Sequence, residues 1–569
     1  MSMINLTIDN QAIEVERGTT ILEAAAKLGI KIPTLCYHPE LRKFGACRIC
    51  VVEDARGALV PACYTPVKEG MVLKTASPKA IKTRKTILEL LLASHNGNCL
   101  TCDRNQRCNL QTMAYEMDVR DVRFDGELRD FPMDTSGAII RDPNKCILCG
   151  NCVRMCHEVQ TVGAIDFTDR GFTASVATPF DKPFAESNCV FCGQCVRVCP
   201  VAALTENCEI EAVRAAVASD KHVVVQVAPA VRIGLGEEFG LDTGALVTGK
   251  MAAALRRLGF DKVFDTQFSA DLTIMEEGTE LLHRVKDGGV LPMFTSCSPG
   301  WVKFCEQFYP EFIPNLSTCK SPQEMFGAVA KTYYAEKNGI DPKDIFVVSI
   351  MPCTSKKYEK TRPEMNQEVD AVLTTRELAK MIKQAGLQFN ELPEEDFDHP
   401  LGESTGAATL FGVTGGVMEA ALRTVYAVVT GSELKDDELE LTAVRGLEGV
   451  REATIPVGDL NVKIAIATGL GNARALLEKI KAGEADYHFV EVMTCPGGCI
   501  NGGGQPYTND PAFREKRAAG LYESDRSLPL RKSHLSPAVQ KAYEEYFGKP
   551  NSHKAHDILH THYHKKPRY

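Results

Sequence analysis

Tryptophan is almost missing from this chain of 569 residues: Trp301 is the only one, and aromatic residues make up 7% of the total. Long apolar runs are missing too. No run approaches the roughly 20 consecutive apolar residues that cross a bilayer, so no membrane association is expected. Basic charge is in short supply: 65 Lys and Arg against 74 Asp and Glu leave a net charge of -9. A phosphate backbone needs a basic face, which excludes nucleic acid as a main partner. The N-terminus, MSMINLTIDNQAIEVERGTT, lacks the basic start, apolar core and cleavage site of an export signal. A cytoplasmic location is therefore expected. The length is too great for one core and predicts several domains.

Cysteine is what the chain has in excess. It holds 22, and in a reducing compartment disulfides are rare. Cysteines there are read first as metal ligands, and their spacing decides which metal.

The first segment reads as a small β-rich domain. INLTIDNQAIEVERG is two alternating runs around Asp9-Asn10, a hairpin signal, and TTILEAAAKLGI follows as a helix with Thr19 or Thr20 as cap and Gly29 as stop. Then come Cys36, Cys47, Cys50 and Cys63. A close pair flanked by two distant cysteines suits a two-iron cluster; a zinc site is the competing reading, though it usually pairs two C-x-x-C knuckles. Next, ASHNGNCLTCDRNQRCNL offers Cys99, Cys102 and Cys108, one ligand short of a four-iron cluster. His95 stands four residues before Cys99 in a glycine-containing loop. Its imidazole could replace a thiolate on iron, or it is a turn histidine of no special role.

The strongest local signal is a repeat. CILCGNCVRMC holds Cys146, Cys149, Cys152 and Cys156, and CVFCGQCVRVCP holds Cys189, Cys192, Cys195 and Cys199. Both follow the bacterial ferredoxin run, in which the fourth cysteine crosses to the other cluster. One cluster therefore takes Cys146, Cys149, Cys152 and Cys199, and the other takes Cys189, Cys192, Cys195 and Cys156.

After about residue 209 cysteines thin out and strand–helix alternation begins. HVVVQVAPAVRIG, GGVLPMFTSC, DIFVVSIMPC, VKIAIATG and YHFVEVMTC are short apolar runs, as expected of buried, largely parallel strands in an α/β domain. Three of them end in Cys297, Cys353 and Cys495. Ligands of open α/β sheets gather beyond the carboxyl ends of strands, so the three are expected to converge, with Cys499 close behind in CPGGCINGGGQP. Two glycine-rich stretches are set aside. AIATGLGNARALLEKI has Arg474 where a dinucleotide fingerprint wants a small residue, and FGVTGGVMEAALRTV lacks a phosphate-loop lysine.

TSCSPGW, MPCTSKKYE and EVMTCPGGCINGGGQP resemble the three signature motifs of the [FeFe]-hydrogenases, and the first 210 residues resemble the accessory-cluster domains of their monomeric, clostridial-type, ferredoxin-linked members. The resemblance implies a multidomain α+β and α/β protein. Its parts are a β-grasp [2Fe-2S] domain over 1–78, a small helical His/Cys3 [4Fe-4S] domain over 79–125, a 2[4Fe-4S] ferredoxin domain over 126–209 and a catalytic H-cluster domain over 210–569. It implies reversible reduction of protons to H2 with ferredoxin or flavodoxin as electron partner, and a need for maturation proteins. The cofactors implied are one [2Fe-2S] cluster, three accessory [4Fe-4S] clusters and the H-cluster, a [4Fe-4S] unit joined to a two-iron subsite bearing CO, CN and a dithiolate bridge. Iron is then about 20 per chain.

By the same resemblance Cys353, Cys495 and Cys499 hold the H-cluster, and Cys297 donates protons. Glu277, Ser317, Glu280 and Arg284 carry protons onward, and Lys356 donates to a cyanide. Met351, Met493, Gln323, Pro229 and Phe411 form the pocket wall, and His95 becomes a cluster ligand. Two carboxylates three apart share a helix face, which suits a relay.

One position departs from the family. Its motif has two adjacent cysteines, the first for protons and the second for the four-iron cluster; here the second is Ser298. Either Ser298 ligates through oxygen, or Cys297 turns to the cluster, or the cluster is labile and activity low. The expectation adopted is that Cys297 stays the relay group and Ser298 occupies the cluster position. Pro299 restricts the residue before it, and a thiol, with a pKa of about 8.5, suits proton transfer better than a hydroxyl.

Two alternatives stand beside the main reading. One is the catalytic subunit of an electron-bifurcating hydrogenase that also uses NADH; the other is a low-activity or sensory relative. The tail SHKAHDILHTHYHKKPRY has no cysteine for a further cluster, which favours the ferredoxin enzyme, and its histidines are expected to be solvated. Lys68, Lys74, Lys79, Lys82, Arg84 and Lys85 would form a basic patch able to steer an acidic ferredoxin.

Overall fold

The computed structural model describes residues 2–447, 449–458, 460–508 and 510–569. The chain divides into two compact units. One holds Met1–Val159, Gly163–Ser187 and Gln194–Thr205; the other holds Gln160–Val162, Asn188–Gly193 and Glu206–Tyr569. The second unit thus takes in two short loops that the sequence assigns to the ferredoxin-like part.

The first unit opens with a five-stranded sheet in the order β2-β1-β5-β3-β4, made from β1 (Met3–Ile8), β2 (Gln11–Glu16), β3 (Val51–Asp54), β4 (Leu59–Pro61) and β5 (Met71–Lys74). Asp9 and Asn10 both take positive φ, the requirement of a tight two-residue hairpin turn. The helix Ile21–Lys27 begins with a capping box between Thr20 and Glu23 and packs Ile21, Leu22, Ala24 and Ala25 onto the sheet core. The helices Pro78–Ala93 and Asn109–Glu116 follow. Short strands come next: β6 (Ile139–Arg141), the antiparallel pair β7 (Asp166–Thr168) and β8 (Ser175–Ala177), and β9 (Leu204–Glu206).

The second unit contains two four-stranded sheets. The first is wholly parallel, in the order β11-β10-β13-β14: β10 (His222–Val227), β11 (Lys262–Asp265), β13 (Ile345–Met351) and β14 (Ala371–Thr374). The second has the order β12-β17-β16-β15: β12 (Met293–Phe294), β15 (Val450–Val457), β16 (Leu460–Thr468) and β17 (Phe489–Met493), parallel except for the β15–β16 hairpin. The buried apolar runs behave as expected, although GGVLPMF forms only two residues of strand. The sequence reading did not identify β11, β14 and β15, which are short, or half-exposed in the case of β15.

The helix Thr266–Lys286 joins the two cores. Its Phe268 and Leu272 pack in the core of the first sheet, and its Ala270, Ile274, Leu281 and Leu282 in that of the second. Apolar on both sides, it has little left to show solvent, so its acidic residues are buried with it.

Candidate active site

Cys297 follows β12, Cys353 follows β13 and Cys495 follows β17, each just beyond a carboxyl end. The structure brings all three, with Cys499, to one apolar-lined cavity. Cys353 packs against the core of the first sheet, Cys297 against that of the second, and Cys499 against a third apolar cluster around Ala230, Val413 and Ile500. The cavity is therefore the seam where three cores meet. The NGGG loop closes it by backbone contact. A Cβ on Gly502 would lie 2.0 Å from the Pro352 carbonyl oxygen, and one on Gly503 would lie 2.6 Å from that of Cys192, so only glycine fits.

Pro229, Gln323, Met351, Lys356, Phe411 and Met493 all line the cavity. Lys356 Nζ donates to Glu359 at 2.8 Å and to the Cys297 carbonyl at 3.2 Å. Burial lowers its pKa, but the Glu359 carboxylate outweighs this and holds it above the ordinary value of 10.5, so the ammonium is charged. Gln323 Nε2 donates to Glu324, while its Oε1 is buried without a partner.

Cys297 and Ser298 separate. Ser298 Oγ lies 2.8 Å from Thr494 Oγ1, beside Cys495. Cys297 is half-buried, and its thiol pKa is pushed well up, by desolvation first and then by Glu277. Trp301, buried in the helix Pro299–Phe308, donates from Nε1 to the Thr295 carbonyl at 3.0 Å and ties this helix to the loop.

Glu277 is fully buried, and neither carboxylate oxygen has a hydrogen-bond partner. Burial and the charge of Glu280 raise its pKa to about 8, against weaker lowering by Ser317 and the Ser296 backbone. Ionising it here costs on the order of 5 kcal/mol more than in water, so it is neutral at pH 7. Glu280 differs by being well partnered. It accepts from Ser317 Oγ at 3.1 Å and from the Thr318 amide at 3.0 Å, and pairs with Arg284 at 2.6 Å. Arg284 also donates to the carbonyls of Val290, Pro314 and Leu316.

Sequence reasoning missed Glu491. It is buried in β17 and accepts from the Gly415 amide at 2.6 Å and the Met418 amide at 2.8 Å. It thereby occupies the glycine-rich helix start at Gly416, and the signal was a single acid inside the apolar run FVEVM. The other glycine-rich start is occupied as well: the Leu470 amide donates to Gln160 Oε1 at 3.0 Å, and Arg474 donates to Thr161. The tail is a correction. His560 is buried, with Nδ1 2.7 Å from Thr318 Oγ1 and Nε2 3.0 Å from Glu276, because its helix docks on the second unit's core through Ala555 and Leu559. His553, His556, His562 and His564 are exposed, as expected.

In the first unit, Cys36, Cys47, Cys50 and Cys63 lie in mutual contact: the Cys36 thiol hydrogen-bonds those of Cys47 and Cys63, and Cys63 bonds that of Cys50. Cys146, Cys149, Cys152 and Cys199 line a single apolar cavity. Cys156 and Cys195 belong to this unit, Cys189 and Cys192 to the other. His95 is part-buried; burial lowers its pKa, and its Nδ1 is buried without a partner. Cys99 is exposed, Cys102 half-buried and Cys108 buried. Arg84 does not belong to the basic surface. It is buried and donates to the Val51 carbonyl at 2.7 Å, whereas Lys68, Lys74, Lys79 and Lys82 are exposed.

The donor sets fit iron–sulfur clusters. Burial raises the Cys353 and Cys146 thiols and pushes Cys499 up to about 12. A buried thiol of this kind becomes a thiolate only on a bound cation, and the unpartnered His95 Nδ1 and Gln323 Oε1 are the orphans a bound group would satisfy.

Comparison with known proteins agrees with this geometry. Residues 221–503 match the family model of the iron-only hydrogenase large subunit, C-terminal domain, and 511–566 that of the iron hydrogenase small subunit. Residues 1–78 match a 2Fe-2S cluster-binding domain, 84–123 the NADH-ubiquinone oxidoreductase-G iron–sulfur region, and 145–203 a 4Fe-4S dicluster domain. The chain is 52% identical to the NADP-reducing hydrogenase subunit HndD of Solidesulfovibrio fructosivorans, covering all of both. It is 42% identical to iron hydrogenase 1 of Clostridium pasteurianum, covering 99% of this chain and all of the relative. The structure of a variant of the [FeFe]-hydrogenase HydA1 from Chlamydomonas reinhardtii matches 63% of this chain and all of its own, with 45% identity and a TM-score of 0.57.

Proposed function

The chain belongs to the iron-only, or [FeFe], hydrogenase family, and from that premise we propose how its residues divide the work of interconverting protons and H2. The observation that carries the proposal is the convergence of four cysteines from three strand ends and one glycine loop on a single apolar-lined cavity, with a neutral, unpartnered glutamate nearby. The chain carries [2Fe-2S]- and [4Fe-4S]-binding domains and the hydrogenase domain. The proposed complement is one [2Fe-2S] cluster, three accessory [4Fe-4S] clusters and the H-cluster, in domains spanning 1–78, 79–125, 126–209 and 210–569.

Cys353, Cys495 and Cys499 would hold the H-cluster, with Ser298 at the fourth position and Pro229, Gln323, Met351, Phe411 and Met493 walling it from water. When bound, that cluster supplies the electrons and the iron at which protons and H2 interconvert. The chain's own part is proton traffic. Cys297 holds a proton at Sγ because burial keeps the thiol neutral. Glu277 is protonated at pH 7 and its free oxygens leave room for a bridging water. Ser317 hands the proton to Glu280, and Arg284 holds Glu280 on the outer side. Lys356 contributes a fixed positive charge and a donor to the cavity. Ser298 at the cluster position is supported by its bond to Thr494, next to Cys495.

For the electron partner we propose ferredoxin or flavodoxin, met by the exposed lysines of the first unit in the cytoplasm. No helix among the described residues is long and apolar enough to cross a membrane. A second reading has a specific observation behind it. The full-length identity to a subunit of an NADP-reducing hydrogenase favours a role as the hydrogen-handling chain of an assembly in which a partner subunit carries the nucleotide.

The test is H2 evolution from reduced methyl viologen, measured anaerobically after maturation with the two-iron unit. The expected result is viologen-dependent H2 that disappears when maturation is omitted. A matured, iron-replete protein that evolves none would overturn the assignment.

A further inference from the structure

We propose that Glu280, Cys319 and His560 form a binding site for a thiophilic divalent cation such as Zn2+, whose occupation closes the proton route. The site rests on the route proposed above only for its consequence; the binding itself follows from the donors. Cys319 is one of the four cysteines left outside the cluster sets, and His560 comes from the C-terminal tail, more than 200 residues away.

Three donors of three kinds lie together there. Cys319 Sγ is 3.9 Å from Glu280 Oε2 and 4.0 Å from His560 Nδ1, and the three atoms fall within 4.8 Å of one another. A tetrahedral zinc ion with bonds of about 2.0–2.3 Å holds its ligands roughly 3.3–3.6 Å apart. Cys319 Sγ therefore needs to approach its two neighbours by roughly half an ångström, and the Glu280 and His560 donors need to approach each other by up to about 1.5 Å. A thiolate and an imidazole disfavour Mg2+ and Ca2+, whereas the mixed S, N and O set suits zinc with a fourth position open. Thr318 Oγ1, 2.7 Å from Nδ1 and 3.1 Å from Oε2, sits where that fourth ligand or a water would stand.

The surroundings are those of a metal site. Nε2 of His560 faces Glu276 Oε2 at 3.0 Å; with the proton on Nε2, the Nδ1 lone pair can take a cation in place of its present neighbour Thr318 Oγ1 at 2.7 Å, with Cys319 Sγ at 4.0 Å. Glu276 is itself held by the Tyr543 hydroxyl at 2.5 Å and the Asn551 amide at 2.8 Å. A carboxylate fixing a histidine for metal binding is a recurring device. Arg284 pins the other Glu280 oxygen, and Oε2, which accepts from Ser317 Oγ and from the Thr318 amide and hydroxyl, is the oxygen next to Cys319 Sγ. The exposed His556 ring stacks on His560 with centroids 4.5 Å apart.

Binding would release the Cys319 thiol proton to solvent and form S–Zn, N–Zn and O–Zn bonds, with no redox change. The Oε2 lone pair that accepts from Ser317 would then be engaged by the cation. Glu280 could no longer take up a proton, and turnover would stop without damage to any cluster.

The experiment uses the matured holoenzyme and ZnCl2 alone, free of chelator. Equilibrium dialysis with metal analysis should find one more zinc per chain in the parent than in Cys319→Ala. Viologen-driven H2 evolution by the parent should fall at least tenfold at saturating zinc and recover with EDTA. Cys319→Ala, with unchanged basal activity, should need at least tenfold more zinc for the same inhibition. His556→Ala should behave like the parent. If Cys319→Ala folds poorly, Cys319→Ser serves, since it keeps the volume and removes the soft donor. Equal zinc content and equal sensitivity in parent and Cys319 variants would overturn the site, as would inhibition that disappears with His556→Ala and persists in Cys319→Ala. The metal count does not depend on turnover, so failure of the proton-route reading would leave it standing.

Discussion

The accessory unit and the catalytic unit build their cysteine sites in opposite ways. In the first, the set Cys36, Cys47, Cys50 and Cys63 comes from one stretch of chain, and three of the four cysteines lining the apolar cavity lie within seven residues of each other. In the second, Cys297, Cys353 and Cys495 are far apart in sequence and meet because strands of two separate sheets end at the seam between their cores. A local site depends on a loop; a convergent site depends on the whole sheet architecture. Loss of the first should therefore leave the second in place.

The sharpest test sets one against the other. Cys499→Ala should remove H2 evolution to background and abolish the active-site infrared bands, whereas Cys36→Ser should erase only the two-iron signal and leave viologen turnover within about twofold. His95→Ala should likewise disturb one four-iron signal alone. Loss of turnover in Cys36→Ser, with its remaining clusters intact, would break the comparison.

Next in size is the adjacent pair Cys297 and Ser298 in the cavity lining. General acid–base groups contribute about 10²–10⁴-fold, so Cys297→Ala should cost at least a hundredfold in turnover while keeping the four-iron signal. Ser298→Cys should raise iron content and activity. Disappearance of the four-iron signal in Cys297→Ala would mean that Cys297, not residue 298, is the ligand.

Glu277→Gln should also cost at least a hundredfold in turnover, and it carries a separate signature in stability. The native protein keeps Glu277 protonated up to about pH 8, whereas the unfolded chain releases that proton near 4.5. The native state binds more protons between those values, so stability falls as pH rises through that window. Urea titrations at pH 5 and 8 should give a smaller difference for Glu277→Gln than for the parent; an identical difference would argue that Glu277 is ionised in the fold.

The smallest effect concerns docking. Raising ionic strength should raise the apparent KM for ferredoxin a few-fold and leave viologen turnover alone, because exposed charges are screened. Charge reversal at Lys82 should act in the same direction, and Arg84→Gln should instead lower stability, since Arg84 is buried under β3. A KM indifferent to salt would favour contact with a permanent partner subunit.

The sequence by itself determined the ligand chemistry and the local elements. Cysteine spacing is a property of short chain segments, and the thiol groups of such a segment cannot be far apart. The hairpin at Asp9-Asn10, the Thr20 cap and the ferredoxin-like runs were legible for that reason, and the signature motifs carried the resemblance that named the rest. Tertiary structure alone decided what depends on distant neighbours. Glu277 and Glu280 sit three apart on one helix, yet one is neutral and unpartnered and the other is held by Arg284, Ser317 and Thr318, because burial and partners, not residue type, set a carboxyl's charge. Arg84 looked like surface charge and is a buried donor. His560 looked like a solvated tail residue and docks against Glu276 and Thr318, since the docking of a helix on a core is written in that core's shape and not in the tail's composition.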